Sequence, residues 1–321
     1  MPNMPEYNIT NLIFHEKSIP NRKNKVMAAD VSVTSFNKYP VSLDVPVLGF
    51  DILLPGCDDT PILVAGATTC PIAVRPESDV VVDVEGIIEE IPKSLTQTCP
   101  RSDSSPLDNF FGAYIQGEPA TVFVRGHQTS TEETPDWLAE ILASVTVPVS
   151  FPGGGDGLDD LLRNFSLTDV HFSLPDPLAE PDDPDSNPKV SGTILALAVL
   201  PSEINMSLDV TNIHANANVF YNGRQLGTLE ISEKANSTQI PGGKDKEPMI
   251  QIESRVHDAP LNVTDGEVLT DVIEALLFGG TEVILDINAL VDVEVKTVLG
   301  QLTVKRVPAE GKIPVKRPSS F

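Results

Sequence analysis

The sequence is poor in the residues on which most chemistry is built. Three cysteines, five histidines and one tryptophan are spread over 321 residues. No HExxH, HxH or GxSxG pattern occurs, and no cysteine has a histidine partner at a recognisable spacing, so no catalytic residue stands out and the chain is expected not to be an enzyme. The cysteines, Cys57, Cys70 and Cys99, lack CxxC spacing, which excludes a zinc site of that type and a disulfide framework. One bridge, Cys57 with Cys70 across a strand pair, is expected in an oxidising compartment, and idle thiols are the other reading. The longest apolar run, Thr193 to Leu200, is too short to cross a bilayer. Met1 to Glu6 hold neither a basic segment nor an apolar one, so no signal peptide is expected.

Basic residues are also scarce, 22 against 46 acidic ones, and the net charge is −24. Both halves of the chain share the excess. Such a surface repels phosphate, and phosphate contacts supply most nucleic-acid affinity, so no nucleic-acid partner is expected. Hydrophobic residues still make up 40% of the chain, enough for a packed core. The 28 prolines and 21 glycines leave little room for long helices.

What the chain does contain is a repeat. Ser42-Leu43-Asp44-Val45 recurs as Ser207-Leu208-Asp209-Val210. Asn8-Ile9-Thr10 and His15 have counterparts in Asn164-Phe165-Ser166 and His171. Leu107 to Gly112 with the strand Thr121 to Val124 resembles Val272 to Gly280 with Glu282 to Leu285. Four features in one order imply two copies of a module of roughly 150 residues, a size that suits the growth limit of a single core. The boundaries read as module one 6–152, a glycine and aspartate linker 153–163, module two 164–310 and a basic, frayed tail 311–321.

Short strands with turn signals dominate both copies, as in a β-sandwich. The first reads as Val26 to Phe36, Val41 to Leu54, Ile62 to Val64, Ile72 to Val74, Val80 to Val84, Thr121 to Val124 and Val145 to Phe151. A helix is expected after the cap Ser104-Ser105-Pro106 and another over Pro135 to Leu142, with Trp137, Leu138, Ile141 and Leu142 facing inward. The second copy reads as Val190 to Leu200, Met206 to Val210, Ala217 to Tyr221, Gly227 to Ile231 after the hairpin signal Asn222-Gly223, and Ile250 to Val256. A helix over Asp265 to Phe278 and three strands, Glu282 to Ile287, Val291 to Val295 and Gln301 to Val304, complete it. A short helical piece is expected over Leu158 to Phe165, and Pro175 to Pro188 is an irregular loop. The fold class is therefore mainly β: two tandem immunoglobulin- or fibronectin-like sandwiches, each with one or two short helices.

Candidate sites are few. Gly153-Gly154-Gly155 lacks the phosphate-loop pattern, and Asp156, Asp159 and Asp160 oppose phosphate, so it reads as a linker. Glu180, Asp182, Asp183 and Asp185 have no EF-hand spacing and read as a solvated acidic loop. No cofactor and no metal are expected. Five sequons, at Asn8, Asn164, Asn205, Asn236 and Asn262, suit passage through the secretory pathway. Phe110, Phe111, Leu276, Leu277 and Phe278 either line an apolar groove or plug the ends of the sandwiches.

Asn37-Lys38-Tyr39-Pro40-Val41, followed by Leu48-Gly49-Phe50-Asp51-Ile52 and the Val80 to Val84 strand, resembles a type 2 late-embryogenesis-abundant (LEA-2) domain, a fibronectin-like sandwich with an asparagine-tyrosine-proline turn. Met27 to Val33, Ser105 to Asp108, Val170 to Pro177 and Ala259-Pro260-Leu261 resemble the C-terminal part of a fungal family. Its members are often labelled pre-rRNA processing proteins and are related to a yeast vacuolar-membrane protein involved in terminating autophagy. The resemblance implies a non-enzymatic module on the lumenal side of the vacuolar membrane, touching a protein or lipid partner and anchored through an N-terminal segment absent from this chain. A lipid carrier with an apolar groove and a nucleolar pre-rRNA processing factor are the alternatives.

Overall fold

The computed structural model describes residues 7–20, 25–127, 134–153, 162–173, 187–243, 246–278 and 282–315. The chain divides into two compact units. The first comprises Met1–Gly155 with Pro201–Ser207 and Thr297–Gly300, and the second Asp156–Leu200, Leu208–Lys296 and Gln301–Phe321.

Strands of the first unit are β1 (Tyr7–Lys17), β2 (Val26–Asn37), β3 (Leu43–Val45), β4 (Gly49–Pro55), β5 (Pro61–Thr69), β6 (Ile72–Val74), β7 (Ser78–Ile88), β8 (Ala120–Gly126), β9 (Thr146–Phe151) and β12 (Ile204–Asn205). Its helices are α1 (Lys93–Thr96), α2 (Pro106–Ile115) and α3 (Asp136–Ala143). The second unit holds β10 (Leu162–Ser173), β11 (Lys189–Val199), β13 (Asp209–Tyr221), β14 (Arg224–Ile240), β15 (Met249–Val263), α4 (Gly266–Phe278), β16 (Val283–Thr297) and β17 (Gly300–Val315).

The hydrogen-bonded order in the first unit is β12-β1-β2-β7-β5-β4-β8-β9, and in the second β10-β11-β15-β14-β13-β16-β17. Leaving β12 aside, one order maps onto the other strand for strand. The long helix falls at the same point too, α2 between β7 and β8 and α4 between β15 and β16. The repeat legible in the sequence is thus a repeat of topology.

In both units the outermost strands meet. The Tyr7 hydroxyl of β1 donates to the Ser150 carbonyl of β9 at 3.1 Å. In the second unit Gly311 of β17 faces Phe165 of β10 so closely that an added Cβ would lie 2.8 Å from the ring. The strand order therefore curls round a core in each unit. In the second unit residues of every strand, from Leu167, Val170 and Phe172 to Ala309, Ile313 and Val315, join Val268, Val272 and Leu276 of α4 in one cluster, and along β13 and β16 the buried positions alternate. That period of two is what an antiparallel strand with one buried face requires.

Several local signals operate as the sequence indicates. Ser105 caps α2: its hydroxyl accepts from Asp108 N–H, and the Asp108 carboxylate accepts from Ser105 N–H. Gly117, at φ 74°, turns the chain out of that helix. Asn222 and Gly223 have φ of 50° and 76°, the two positive values that a type I′ hairpin needs.

Other expectations are corrected. Val41 to Leu54 is not one strand. Leu43↔Val74 and Gly49↔Thr68 share one register, but Pro46 and Pro71 interrupt the ladder between them, since proline offers no N–H. The second-copy strands run far longer than their apolar stretches suggest, because Asn212, His214, Asn216 and Asn218 alternate with Ile213, Ala215, Ala217 and Val219 along β13. Residues 162–165 begin a strand and not a helix, and the rest of that expected helical piece lies outside the described residues. The expected tail is partly β17, with Ile313 and Val315 almost fully buried. Residues 316–321 lie outside the described set.

Candidate functional site

The β4–β5 ladder of the first unit has two unlike ends. At its hairpin end the turn carries Cys57, which is bonded to Cys99 beyond α1. The expected Cys57–Cys70 pairing is therefore wrong. Cys70 follows the far end of β5, and nine strand residues at about 3.3 Å each separate it from the hairpin. It is a free, exposed thiol.

The opposite end holds most of the exposed large apolar side chains of the first unit. The turn between β2 and β3 is built by Asn37. Its amide donates to the Arg75 carbonyl at 2.8 Å and the Val41 carbonyl at 3.3 Å, and its Oδ1 accepts from Tyr39 N–H at 3.1 Å. No apolar side chain offers that combination of donors and acceptor. So pinned, the turn projects Phe36, Tyr39, Val41 and Leu43 into solvent, with Tyr39 60% exposed. The Lys38 ammonium lies 5.6 Å from the Tyr39 ring centre, and Arg75 pairs with Asp44.

α3 is seated at the same end of that ladder. Thr134, just before it, donates to the Val47 carbonyl. Gly126, at the end of β8, passes so close that a Cβ there would lie 2.3 Å from Leu142 Cβ, so only glycine fits. Ala139 is the buried contact of the helix. Trp137, Ile141 and Val145, at successive spacings of four, face outward, and Trp137 is 63% exposed. The expectation that Trp137 and Ile141 pack inward is overturned. Helical periodicity shows that one face is apolar but not which way the seat of the helix turns that face.

Near this end lies an ionic cluster around a buried carboxylate. Asp51 of β4 is 5% exposed and accepts from Arg125 at 2.7 Å and His127 at 2.7 Å. Burial pushes its pKa up, but the hydrogen bonds from Arg125 and His127 outweigh burial and hold the carboxyl below the usual aspartate value. A depressed carboxylate contributes stability above its unfolded pKa, near 3.9, and loses it as pH falls through the folded value. Acidifying the chain below about pH 4 should therefore destabilise the first unit. Asp51→Asn should cost about 1–3 kcal/mol at neutral pH, since Arg125 is only partly covered, and should flatten the acid limb of melting curves recorded across that range.

The remaining candidates separate. Phe110 packs edge-on against Phe111 and at a tilt against Phe151, and Leu276 belongs to the second core. Leu277 is half-buried and Phe278 is 83% exposed. Tyr114, buried on α2, has its hydroxyl pKa pushed up to about 12 by burial and by the nearby Glu203 carboxylate. All five sequon asparagines are exposed: Asn8 in β1, Asn164 in β10, Asn205 in β12, Asn236 in β14 and Asn262 in β15. Gly154, Gly155 and the loop carrying Glu180, Asp182, Asp183 and Asp185 lie outside the described residues. Among the described residues no three His, Cys, Asp or Glu side chains gather as a metal site, and no helix is long and apolar enough to cross a membrane.

Residues 204–316, about a third of the chain, match the family model described as the Tag1 C-terminal domain. No curated protein matches. Among solved structures, the BSP domain of a biofilm-associated protein aligns with 98% of this chain and 61% of its own length, at 8% identity and a TM-score of 0.18. The B domain of a biofilm-associated protein aligns with 96% of this chain and 85% of its own, at 8% identity and 0.18. The partial N-terminal region of an enterococcal surface protein gives 98% and 97% coverage, 8% identity and 0.17. Scores of this size carry no argument about fold or activity. The present chain spans about three-fifths of the first of these structures.

Proposed function

We propose that the chain is a non-enzymatic, membrane-proximal interaction module, built from two immunoglobulin- or fibronectin-like β-sandwiches of the LEA-2 kind, whose working surface is the apolar end of the first unit. The observation that carries this reading is the exposure of Trp137, Ile141 and Val145 and, at the same end of the β4–β5 ladder, of Phe36 and Tyr39 about a pinned turn. Large apolar side chains exposed at one end of an otherwise charged protein mark a contact site. Tryptophan and tyrosine, with one apolar and one polar end, suit the boundary between water and lipid. Asp136 and Glu140 on α3 disfavour an anionic surface, so the reading commits to a zwitterionic one.

The sandwich assignment is supported by the meeting of β1 with β9 and of β10 with β17. A place on the lumenal side of the vacuolar membrane, in a protein linked to autophagy, is supported by the family resemblance, the five exposed sequons and the disulfide, which suits an oxidising compartment. The match of residues 204–316 to the Tag1 C-terminal domain supports a family relationship for the second module.

The test is flotation with zwitterionic phospholipid vesicles. The wild-type chain is expected to float with them and the Trp137→Asp/Ile141→Asp variant to remain at the bottom. Equal behaviour of the two chains would refute the assignment of this surface.

A further inference from the structure

The sheet of each unit ends on two edges that are built differently. In the first unit the order runs from β12 and β1 to β9, and in the second from β10 to β17. The first and last strands touch, the Tyr7 hydroxyl on the Ser150 carbonyl and Gly311 against Phe165, but no backbone ladder joins them among the described residues. β9 pairs with β8 alone and β10 with β11 alone. Away from the points of contact, an edge of this kind is a template for another strand.

The last strand of each sheet carries proline. Pro148 stands in β9, and Pro308 and Pro314 stand in β17. Proline has no N–H to offer a neighbouring strand, so it blunts an edge. β1, β10 and β12 contain no proline, and each contains a sequon asparagine instead. Asn8 lies in the part of β1 that β12 leaves uncovered, since β12 reaches only Phe14 and His15. Asn205 stands in β12 itself, opposite His15. Asn164 opens the longest regular run of β10, Asn164 to Thr168, between two bulges. Both sheets thus have proline at one edge and a sequon at the other.

The remaining two sequons lie elsewhere. Asn236 is opposite Glu253 and Asn262 is opposite Thr228, in β14 and β15, and each of these strands has a neighbour on both sides. They serve as an internal comparison, because all five asparagines are equally exposed to modification.

We infer that Asn8, Asn164 and Asn205 carry N-linked oligosaccharides that guard the proline-free edges against strand addition by a second copy of the chain. In the transfer, each side-chain amide nitrogen loses one proton and bonds to the anomeric carbon of a sugar. The bond from that carbon to the diphosphate of a lipid-linked oligosaccharide breaks, and the lipid diphosphate leaves with the electron pair. A glycan is bulky and hydrated, and a strand approaching to the ladder distance of about 4.8 Å would collide with it. Such modification rests on the lumenal placement proposed for the chain and is independent of the membrane contact at Trp137.

The experiment is glycopeptide mapping of the full chain secreted from a eukaryotic host, followed by light scattering. Asn8, Asn164 and Asn205 are expected to be occupied. Trimming the folded chain to one sugar per site with an endoglycosidase should speed its aggregation about tenfold. Asn8→Gln/Asn164→Gln/Asn205→Gln should do the same, and Asn236→Gln/Asn262→Gln should not. Asn8→Lys/Asn164→Lys/Asn205→Lys should stay soluble, because lysine also blunts an edge, an outcome that misfolding cannot produce. Glycans at Asn236 and Asn262 with the three edge sites bare would overturn the inference and leave the lumenal placement standing. Bare asparagines at all five positions would overturn both. Occupied edge sites whose trimming leaves aggregation unchanged, or an equal effect from the Asn236 and Asn262 variant, would overturn the guarding role.

Discussion

Replacing Cys57 with serine is expected to lower the stability of the first unit by as much as about 4 kcal/mol and to leave the second unit unchanged. The bridge to Cys99 closes a loop of 42 residues, and the entropy that such a loop loses in the unfolded chain sets the size of the effect. The loop spans the Cys57 turn, β5, β6, β7 and α1, so the constraint holds the strands that give the first unit its middle. In calorimetry one of two transitions should move down by about 10 °C while the other stays in place. Reducing the wild-type chain should reproduce the shift, and Cys70→Ser should not, since Cys70 is unbonded. Two transitions that fall together would contradict the division into separately cored units.

The converse substitution is Leu261→Ala. Leu261 is 1% exposed in β15, where it packs in the second core and its N–H donates to the Pro188 carbonyl. Removing three buried carbons leaves a cavity that a seven-stranded, helix-backed core cannot collapse around, at a cost of about 2–5 kcal/mol. The transition that Cys57→Ser leaves alone should be the one that moves. In the double variant both should fall by their separate amounts, because the sites share no partner. A loss under 1 kcal/mol, read from denaturant titration, would mean that this core is looser than its burial shows.

The duplication was legible because it is written twice at nearly constant spacing, and topology preserves what spacing records. Turn and cap signals were legible for a local reason: Ser105 with Asp108, and Asn222 with Gly223, act within four residues of themselves. What escaped the sequence was long-range. The partner of Cys57 depends on where the chain returns after β7, and two candidates 13 and 42 residues away cannot be ranked without that path. The length of β13 was hidden by alanines at its buried positions, which weaken the contrast that reveals alternation. The surface of α3 escaped for the opposite reason, since its apolar stripe is distinct but faces water.

That stripe makes the chain its own reporter, because Trp137 is the sole tryptophan. The central claim is that the apolar end of the first unit is a contact surface for a zwitterionic membrane, and tryptophan emission during a vesicle titration tests it most directly. The free chain should emit as a water-exposed indole. Added vesicles should shift the emission to shorter wavelength and protect it from acrylamide quenching. An emission spectrum and quenching constant that stay unchanged, under conditions where a reference amphipathic peptide binds the same vesicles, would contradict the account.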